Sequence, residues 1–264
     1  RSLELMNRLA EALGKTQEAE EYTALYNAGY EAFQATFFDA AKGLYRDGVG
    51  TGHISTHANF FPLAFGLVPQ EHRKPVSDWL ASRGMKCSVY AAQYLLEALF
   101  ENGNAQAAID LMMADTDRSW KHMVESGTTI TWEAWDQKYK RNQDWNHAWG
   151  AAPANLIPRY LLGVNSIEPG FAKARVRPQP GTLTRAKGKI PTLRGPVAVE
   201  INNVPETPFK LTVNIPQGMT ARVEVPLPGG AGEIRHNGKL VKSEKIEGFA
   251  VIQVGSGIHT FETT

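Results

Sequence analysis

In several stretches of the first 164 residues apolar positions recur every three to four residues, the period of a helix with one buried face. Over the last hundred they alternate every two, the period of a half-buried strand. Thr16 is placed to cap a helix with Glu18 in its first turn and an apolar stripe of Tyr22, Leu25, Tyr26, Phe33 and Phe37, Gly29 breaking the run. Residues 88–100 repeat the pattern with Ala92, Leu95, Leu96 and Leu99 and stop at Gly103. Asn104 is placed to cap the next helix, through Ala108, Leu111 and Met112. A further helix is predicted from about Asn146 to Leu162, with Gly163 at its C-terminal end. A kink or break is expected near Pro153, because an interior proline removes a donor and clashes with the preceding turn. Helices of ~12–20 residues joined by short Gly/Asn turns predict stacked helical hairpins, as in an α/α barrel or bundle.

The second part reads as strands at 197–201, 209–215, 221–225 and 250–254, alternating or β-branched and separated by Gly and Pro pairs. His236-Asn-Gly-Lys239 is a hairpin-turn signal, since Asn-Gly tolerates the positive φ that a tight two-residue turn demands. The expected architecture is therefore multidomain, a helical-hairpin domain followed by a small antiparallel β-sandwich.

Composition sharpens the boundary. Residues 1–164 hold all six Trp, five of the 15 Pro and a charge of −4; residues 165–264 hold no Trp and a charge of +5. The expected domains are thus 1–164 and 165–264. A net charge of +1 points to neither nucleic acid nor an anionic membrane, and no apolar run approaches the ~20 residues of a membrane-spanning helix. The single cysteine, Cys87, excludes an internal disulfide and reads as a small buried residue. The chain opens at Arg1 in what reads as mid-helix, and a piece of a longer protein is expected.

Candidate chemistry concentrates in residues 128–150, which hold four of the six Trp around Glu133, Asp136 and His147. Indole faces stack on sugar C–H faces while carboxylates handle hydroxyls or protons, so the cluster suits a carbohydrate pocket. Glu133, between Trp132 and Trp135, is the candidate base; the alternative is a surface carboxylate pairing with Lys138 or Arg141. Trp132, Trp135, Trp145 and Trp149 are candidates to floor a sugar subsite, with helix packing claiming at least two and Trp149 the first of them to be core. Asp136 is a candidate for hydroxyl binding, and Asp144, beside Lys138, Lys140 and Arg141, reads as a solvated loop acid. His53 and His57 have the i, i+4 metal-ligand spacing of a helix but no evident third ligand, so a structural role is preferred. Lys173, Arg175 and Arg177 alternate as the solvated face of a strand.

Two elements, Thr-Thr-Ile-Thr-Trp-Glu-Ala-Trp-Asp (128–136) and Asn-His-Ala-Trp-Gly (146–150), resemble the catalytic domain of glycoside hydrolase family 78, the α-L-rhamnosidases. The resemblance continues through Leu-Leu-Gly-Val (161–164), Glu-Pro-Gly-Phe (168–171) and Arg-Pro-Gln-Pro (177–180), and upstream through residues 85–99. It implies part of an (α/α)6 barrel followed by a β-sandwich, and inverting hydrolysis of terminal α-L-rhamnosyl bonds. Such a reaction needs a carboxylic acid for the leaving oxygen and a carboxylate to activate water, ~6.5–9.5 Å apart. By position Glu133 matches the family's general base and His147 a histidine lining the sugar pocket. The resemblance places Tyr90 and Gln93 on a helix near the barrel axis. It implies no cofactor, a rhamnosylated glycan or glycoside as partner, and an extracellular or periplasmic location.

One departure bears on mechanism. The family's general acid lies in an upstream acidic stretch that has no match in residues 1–127. The chain is therefore expected to hold one half of the catalytic pair and to be inactive alone. A partial barrel would expose inner helix faces, so self-association is expected. Two other readings stay open: a non-catalytic carbohydrate-binding or structural module, and a six-hairpin glycosidase for another sugar. The strands at 195–254 carry few aromatics (Phe209, Phe249), which favours packing over sugar binding by the β-domain.

Overall fold

The computed structural model describes residues 1–227 and 232–264; the Gly/Pro-rich stretch at 228–231 lies outside the described residues. The chain forms two compact units, residues 1–104 and 105–264. The composition boundary at 164 lies within the second unit, where the last helical turns give way to the first strand of the sheets. Among the described residues no helix is long and apolar enough to cross a membrane.

The first unit is a set of helices, α1 (Ser2–Ala12), α2 (Thr16–Phe37), α3 (His57–Ala64), α4 (Gln70–Arg83) and α5 (Ala92–Glu101), with a two-stranded ribbon of β1 (Phe38–Asp39) and β2 (Leu44–Tyr45) after α2. Thr16 is the first residue of α2 rather than its cap, and Lys15 precedes it with no side-chain capping bond. Gly29 does not interrupt α2, because a lone glycine costs a helix only about 1 kcal/mol and the stripe continues on both sides. The predicted helix at 88–100 begins at Ala92, its entry marked by the Ser88 hydroxyl, which accepts the Ala91 amide at 3.3 Å. Ala92, Leu95, Leu96 and Leu99 are fully buried, and truncating such a leucine to alanine typically costs about 2–5 kcal/mol.

Two prolines sit inside helices of this unit, Pro62 in α3 and Pro75 in α4. The ribbon is fixed by Asn59, buried at the start of α3. Its amide group donates to the carbonyls of Tyr45 and Ser55, at 3.1 and 2.9 Å, and its Oδ1 accepts the Tyr45 amide at 2.9 Å. Burial pushes the Tyr45 phenol up to about 12, although its hydroxyl donates to Gln34 Oε1 at 2.9 Å. His53 lies in a loop with its ring against the Asp47 carboxyl, whereas His57 opens α3 and packs against Phe60, so the two imidazoles do not share a helix face.

The second unit begins with α6 (Ala105–Met112) and α7 (Trp120–Glu125), followed by the irregular segment 126–147. The helix predicted at 146–162 is broken into three pieces. A 3-10 turn spans Ala148–Gly150, α8 spans Ala152–Leu156 with Pro153 in its first turn, and a π-helical turn spans Ile157–Leu161 around Pro158. The break falls just before Pro153, where a proline is tolerated because the first-turn amides have no intrahelical partner. Gly163 follows at φ +81°, where a Cβ would lie 2.1 Å from the Arg177 carbonyl carbon; its own carbonyl accepts the Arg177 amide at 2.9 Å.

The strands are β3 (Val164–Ser166), β4 (Lys173–Val176), β5 (Arg185–Ile190), β6 (Val197–Asn202), β7 (Lys210–Ile215), β8 (Thr220–Pro226), β9 (Ile234–His236), β10 (Lys239–Val241), β11 (Glu244–Ile246), β12 (Phe249–Val254) and β13 (Gly257–Thr263). They form a six-stranded sheet, β10-β9-β13-β7-β6-β5, and a five-stranded sheet, β11-β12-β8-β4-β3. All pairings are antiparallel among the described residues except β4 with β8, which is parallel. Each sheet buries alternate residues: Val199 pairs with Val213 and Ile201 with Leu211 in one, and Val225 pairs with Ala250 in the other. The Asn237-Gly238 turn joins β9 to β10 with both residues at positive φ, as predicted. The reading of Lys173, Arg175 and Arg177 as a solvated face is corrected, since all three are half-buried. Arg177 flanks the buried Glu224, which Arg222 also meets at 2.9 Å, and lies over the Phe249 ring at 4.3 Å.

Candidate active site

The segment 131–147 folds back on itself as an irregular hairpin. The His147 amide donates to the Thr131 carbonyl at 2.8 Å, and the Thr131 hydroxyl donates to the His147 carbonyl at 2.9 Å. Two residues on, the Glu133 amide donates to the Asp144 carbonyl at 3.0 Å. These bonds bring Glu133 beside His147 and Trp149, more than ten residues further along the chain.

Asp136 shapes the turn between the two arms. Its Oδ1 accepts the Lys138 amide at 3.0 Å, its carbonyl accepts the Tyr139 amide at 3.0 Å, and His122 on α7 meets its Oδ2 at 2.9 Å. The Lys138 amide, and secondly His122, hold the Asp136 carboxyl below the usual aspartate range. Asp136 is thereby occupied by its own chain. The turn is fastened to the segment before α7, where Asp117 ion-pairs with Lys138 and accepts the Tyr139 hydroxyl at 2.8 Å. Ser119 caps α7 by accepting the His122 amide at 3.1 Å, which sets His122 against Asp136.

The Glu133 side chain is 11% exposed, and both its oxygens are engaged. Oε1 ion-pairs with Lys140, and Oε2 accepts the Asp144 amide at 3.1 Å. Lys140 first, then the Asp144 amide, hold the Glu133 carboxyl below the usual glutamate range, against a smaller opposing effect of desolvation; the charge of His147 adds to the lowering. The ion pair is not the one the sequence suggested. Lys138 is taken by Asp117, Arg141 is exposed, and Lys140, seven residues from Glu133, makes the bond. Asp144 is exposed, as a solvated loop acid should be.

The tryptophans divide into two pairs. Trp132 and Trp135 are buried, Trp132 edge-on to Trp145 at 4.7 Å between ring centroids and Trp135 edge-on to Trp120 at 4.9 Å. Trp120 donates its indole N–H to the Gly150 carbonyl at 2.6 Å, which locks this layer beneath the hairpin. Trp145 and Trp149 are 47% and 43% exposed. The expectation that Trp149 is a core residue is therefore overturned. The 3-10 turn at Ala148–Gly150 rotates it outward, where its ring stacks on His147 at 3.9 Å and 15°, and its N–H donates to the Glu133 carbonyl at 3.2 Å. The structure thus brings Glu133, His147 and Trp149 together, whereas Trp145 is exposed against the buried Trp132, Trp135 is buried, and Asp136 is bonded within the turn. Tyr90 and Gln93 belong to the other compact unit. Among the described residues no three His, Cys, Asp or Glu side chains are grouped to hold a metal ion.

A carboxylate held ionised and largely covered, on a loop that carries exposed indoles, can accept a proton from water while a sugar ring lies on an indole. Comparison with known proteins gives the chain a family. The model of the bacterial α-L-rhamnosidase six-hairpin glycosidase domain matches residues 1–161, and that of the bacterial α-L-rhamnosidase C-terminal domain matches residues 163–239. An α-L-rhamnosidase of Streptomyces avermitilis is 28% identical over 275 residues, covering 98% of this chain and 25% of the relative. An α-L-rhamnosidase of Formosa agariphila is 28% identical over 270 residues, covering 92% and 28%. The chain spans about a quarter of the length of the curated relatives it matches. Among solved structures, the Streptomyces avermitilis α-L-rhamnosidase complexed with L-rhamnose has a TM-score of 0.82 at 27% identity, covering 100% of this chain and 26% of that one. The α-L-rhamnosidase from Dictyoglumus thermophilum shares the fold with a TM-score of 0.86 at 24% identity, covering 97% and 30%. On the match across residues 1–161, the chain belongs to the bacterial α-L-rhamnosidase six-hairpin glycosidase family.

Proposed function

We propose that this chain contributes the base half of an inverting α-L-rhamnosidase site, with Glu133 activating the attacking water. The observation that carries the reading is the placement of Glu133, a carboxylate held ionised, with His147 acting on it and the exposed Trp149 bonded to its carbonyl, on a loop that also carries the exposed Trp145. Inversion requires the water to be deprotonated as it attacks the anomeric carbon, on the face opposite the departing oxygen. Glu133 takes that proton. His147 bonds sugar hydroxyls, and Trp145 offers its face to the apolar side of a deoxy sugar. A relative of 27% identity crystallised with L-rhamnose supports that sugar as ligand.

The acid that protonates the leaving oxygen is supplied from outside residues 1–127, in which no segment resembles the family's acidic stretch. The isolated chain therefore binds rhamnose without turning over a rhamnoside. In a polypeptide that supplies the acid, Glu133→Gln removes most turnover of p-nitrophenyl α-L-rhamnoside and spares sugar binding. Near-normal turnover of that variant would remove Glu133 from the base role.

A further inference from the structure

Glu133 is held from two sides by its own loop, and the lysine on one of those sides has a role that the family motif does not assign. We infer that Lys140 is a positioning residue for the reaction proposed above: with the Asp144 amide it grips both oxygens of Glu133 and fixes the direction in which the base meets its water. The inference rests on Glu133 being that base.

The grip is built by the backbone, not by chance proximity of two surface charges. The Asp136 carbonyl accepts the Tyr139 amide, and the Lys140 carbonyl accepts the Gln143 amide at 3.1 Å, so Lys140 is fixed on both sides within the turn. Gln143 is buried, and its Oε1 accepts the Ala134 amide at 3.3 Å, which ties the far end of the turn to the residue after Glu133. The neighbouring cation, Lys138, is directed away to Asp117. Lys140 is thus left to reach Glu133 Oε1 while the Asp144 amide reaches Oε2 at 3.1 Å.

A carboxylate offers about four lone-pair sites. With one site on each oxygen taken, the remaining pair faces a restricted direction. The titratable groups acting on Glu133 are Lys140 and His147, and both favour its ionised form. The trade is a weaker base kept in its reactive form to lower pH.

Lys140→Met tests this on the 264-residue chain carrying 13C-labelled glutamate, with the Glu133 carboxyl signal assigned by its loss in Glu133→Gln. Its titration midpoint should rise toward the ordinary glutamate range in Lys140→Met and stay low in Lys140→Arg, with matching melting curves. A midpoint in Lys140→Met equal to that of the wild type overturns the inference. Failure of the functional reading looks different: the clamp titrates as described, yet L-rhamnose leaves the Glu133 signal of the wild type unmoved.

Discussion

The indole N–H of Trp149 donates to the backbone carbonyl of Glu133 at 3.2 Å, across sixteen residues of chain. The same ring stacks on His147, so one side chain sets the spacing between the proposed base and the proposed hydroxyl-binding residue. Trp149→Phe keeps an aromatic face but loses the donor, a net loss of about 1 kcal/mol. If that loss is felt at the sugar, calorimetry should show L-rhamnose affinity falling about fivefold. Unchanged affinity would separate Trp149 from the site.

Acid should loosen this hairpin before it unfolds the sandwich. The carboxyls of Glu133 and Asp136 are both held below their ordinary values by bonds made only in the folded chain. A group depressed on folding contributes stability above its unfolded pKa and loses it as pH falls through the folded value. The near-ultraviolet circular dichroism of the Trp132–Trp145 and Trp120–Trp135 layer should therefore decay as pH falls from about 4 downward, ahead of the strand signal. Simultaneous loss of both signals would show that the two bonds do not hold the hairpin separately.

Gly163→Ala should be among the costlier single changes in the second unit. The position combines a positive φ with a Cβ site 2.1 Å from the Arg177 carbonyl carbon, and backbone cannot swing aside as a side chain can. A cost of about 3 kcal/mol is expected, lowering the melting temperature by roughly 6–12 °C. A shift under 2 °C would mean the joint between the π-helical turn and β4 yields more easily than its packing indicates.

α1 and its C-cap Leu13 present Leu5, Met6, Leu9 and Leu13 to solvent as large exposed apolar side chains. A stripe of this kind seeks cover. The chain is expected to self-associate at tens of micromolar by sedimentation velocity, and Leu9→Glu with Leu13→Glu to restore the monomer. A wild-type chain that sediments as a monomer throughout would contradict this.

What the sequence disclosed depended on how local the determining physics was. Strands β6, β7, β8 and β12 were legible because alternation reports burial directly, and the β9–β10 turn because Asn237-Gly238 suits positive φ. The parallel pairing of β4 with β8 was not, since residues about 47 apart carry no local mark of their register. Helices α3 and α4 were not predicted, and each carries an interior proline, Pro62 and Pro75, that weakens the helix signal in the sequence. Glu133 and His147 were singled out through the two motif elements that hold them, and the roles given to them are the proposal made above. The choice of Lys140 over Lys138 or Arg141 was not legible, because it depends on a turn organised by Asp136 and Gln143. Trp149 was misplaced because a helix was expected through 146–162, whereas the 3-10 turn at Ala148–Gly150 leaves it exposed.

The most direct measurement is calorimetric titration of L-rhamnose into the wild-type chain and into its Glu133→Gln and Trp145→Ala variants. Saturable binding to the wild type is expected, retained in Glu133→Gln and about five- to thirtyfold weaker in Trp145→Ala, since an aromatic stacking face lost from a sugar site costs about 1–2 kcal/mol. No binding to the wild type, or equal binding in all three, would contradict the placement of a rhamnose site around Glu133.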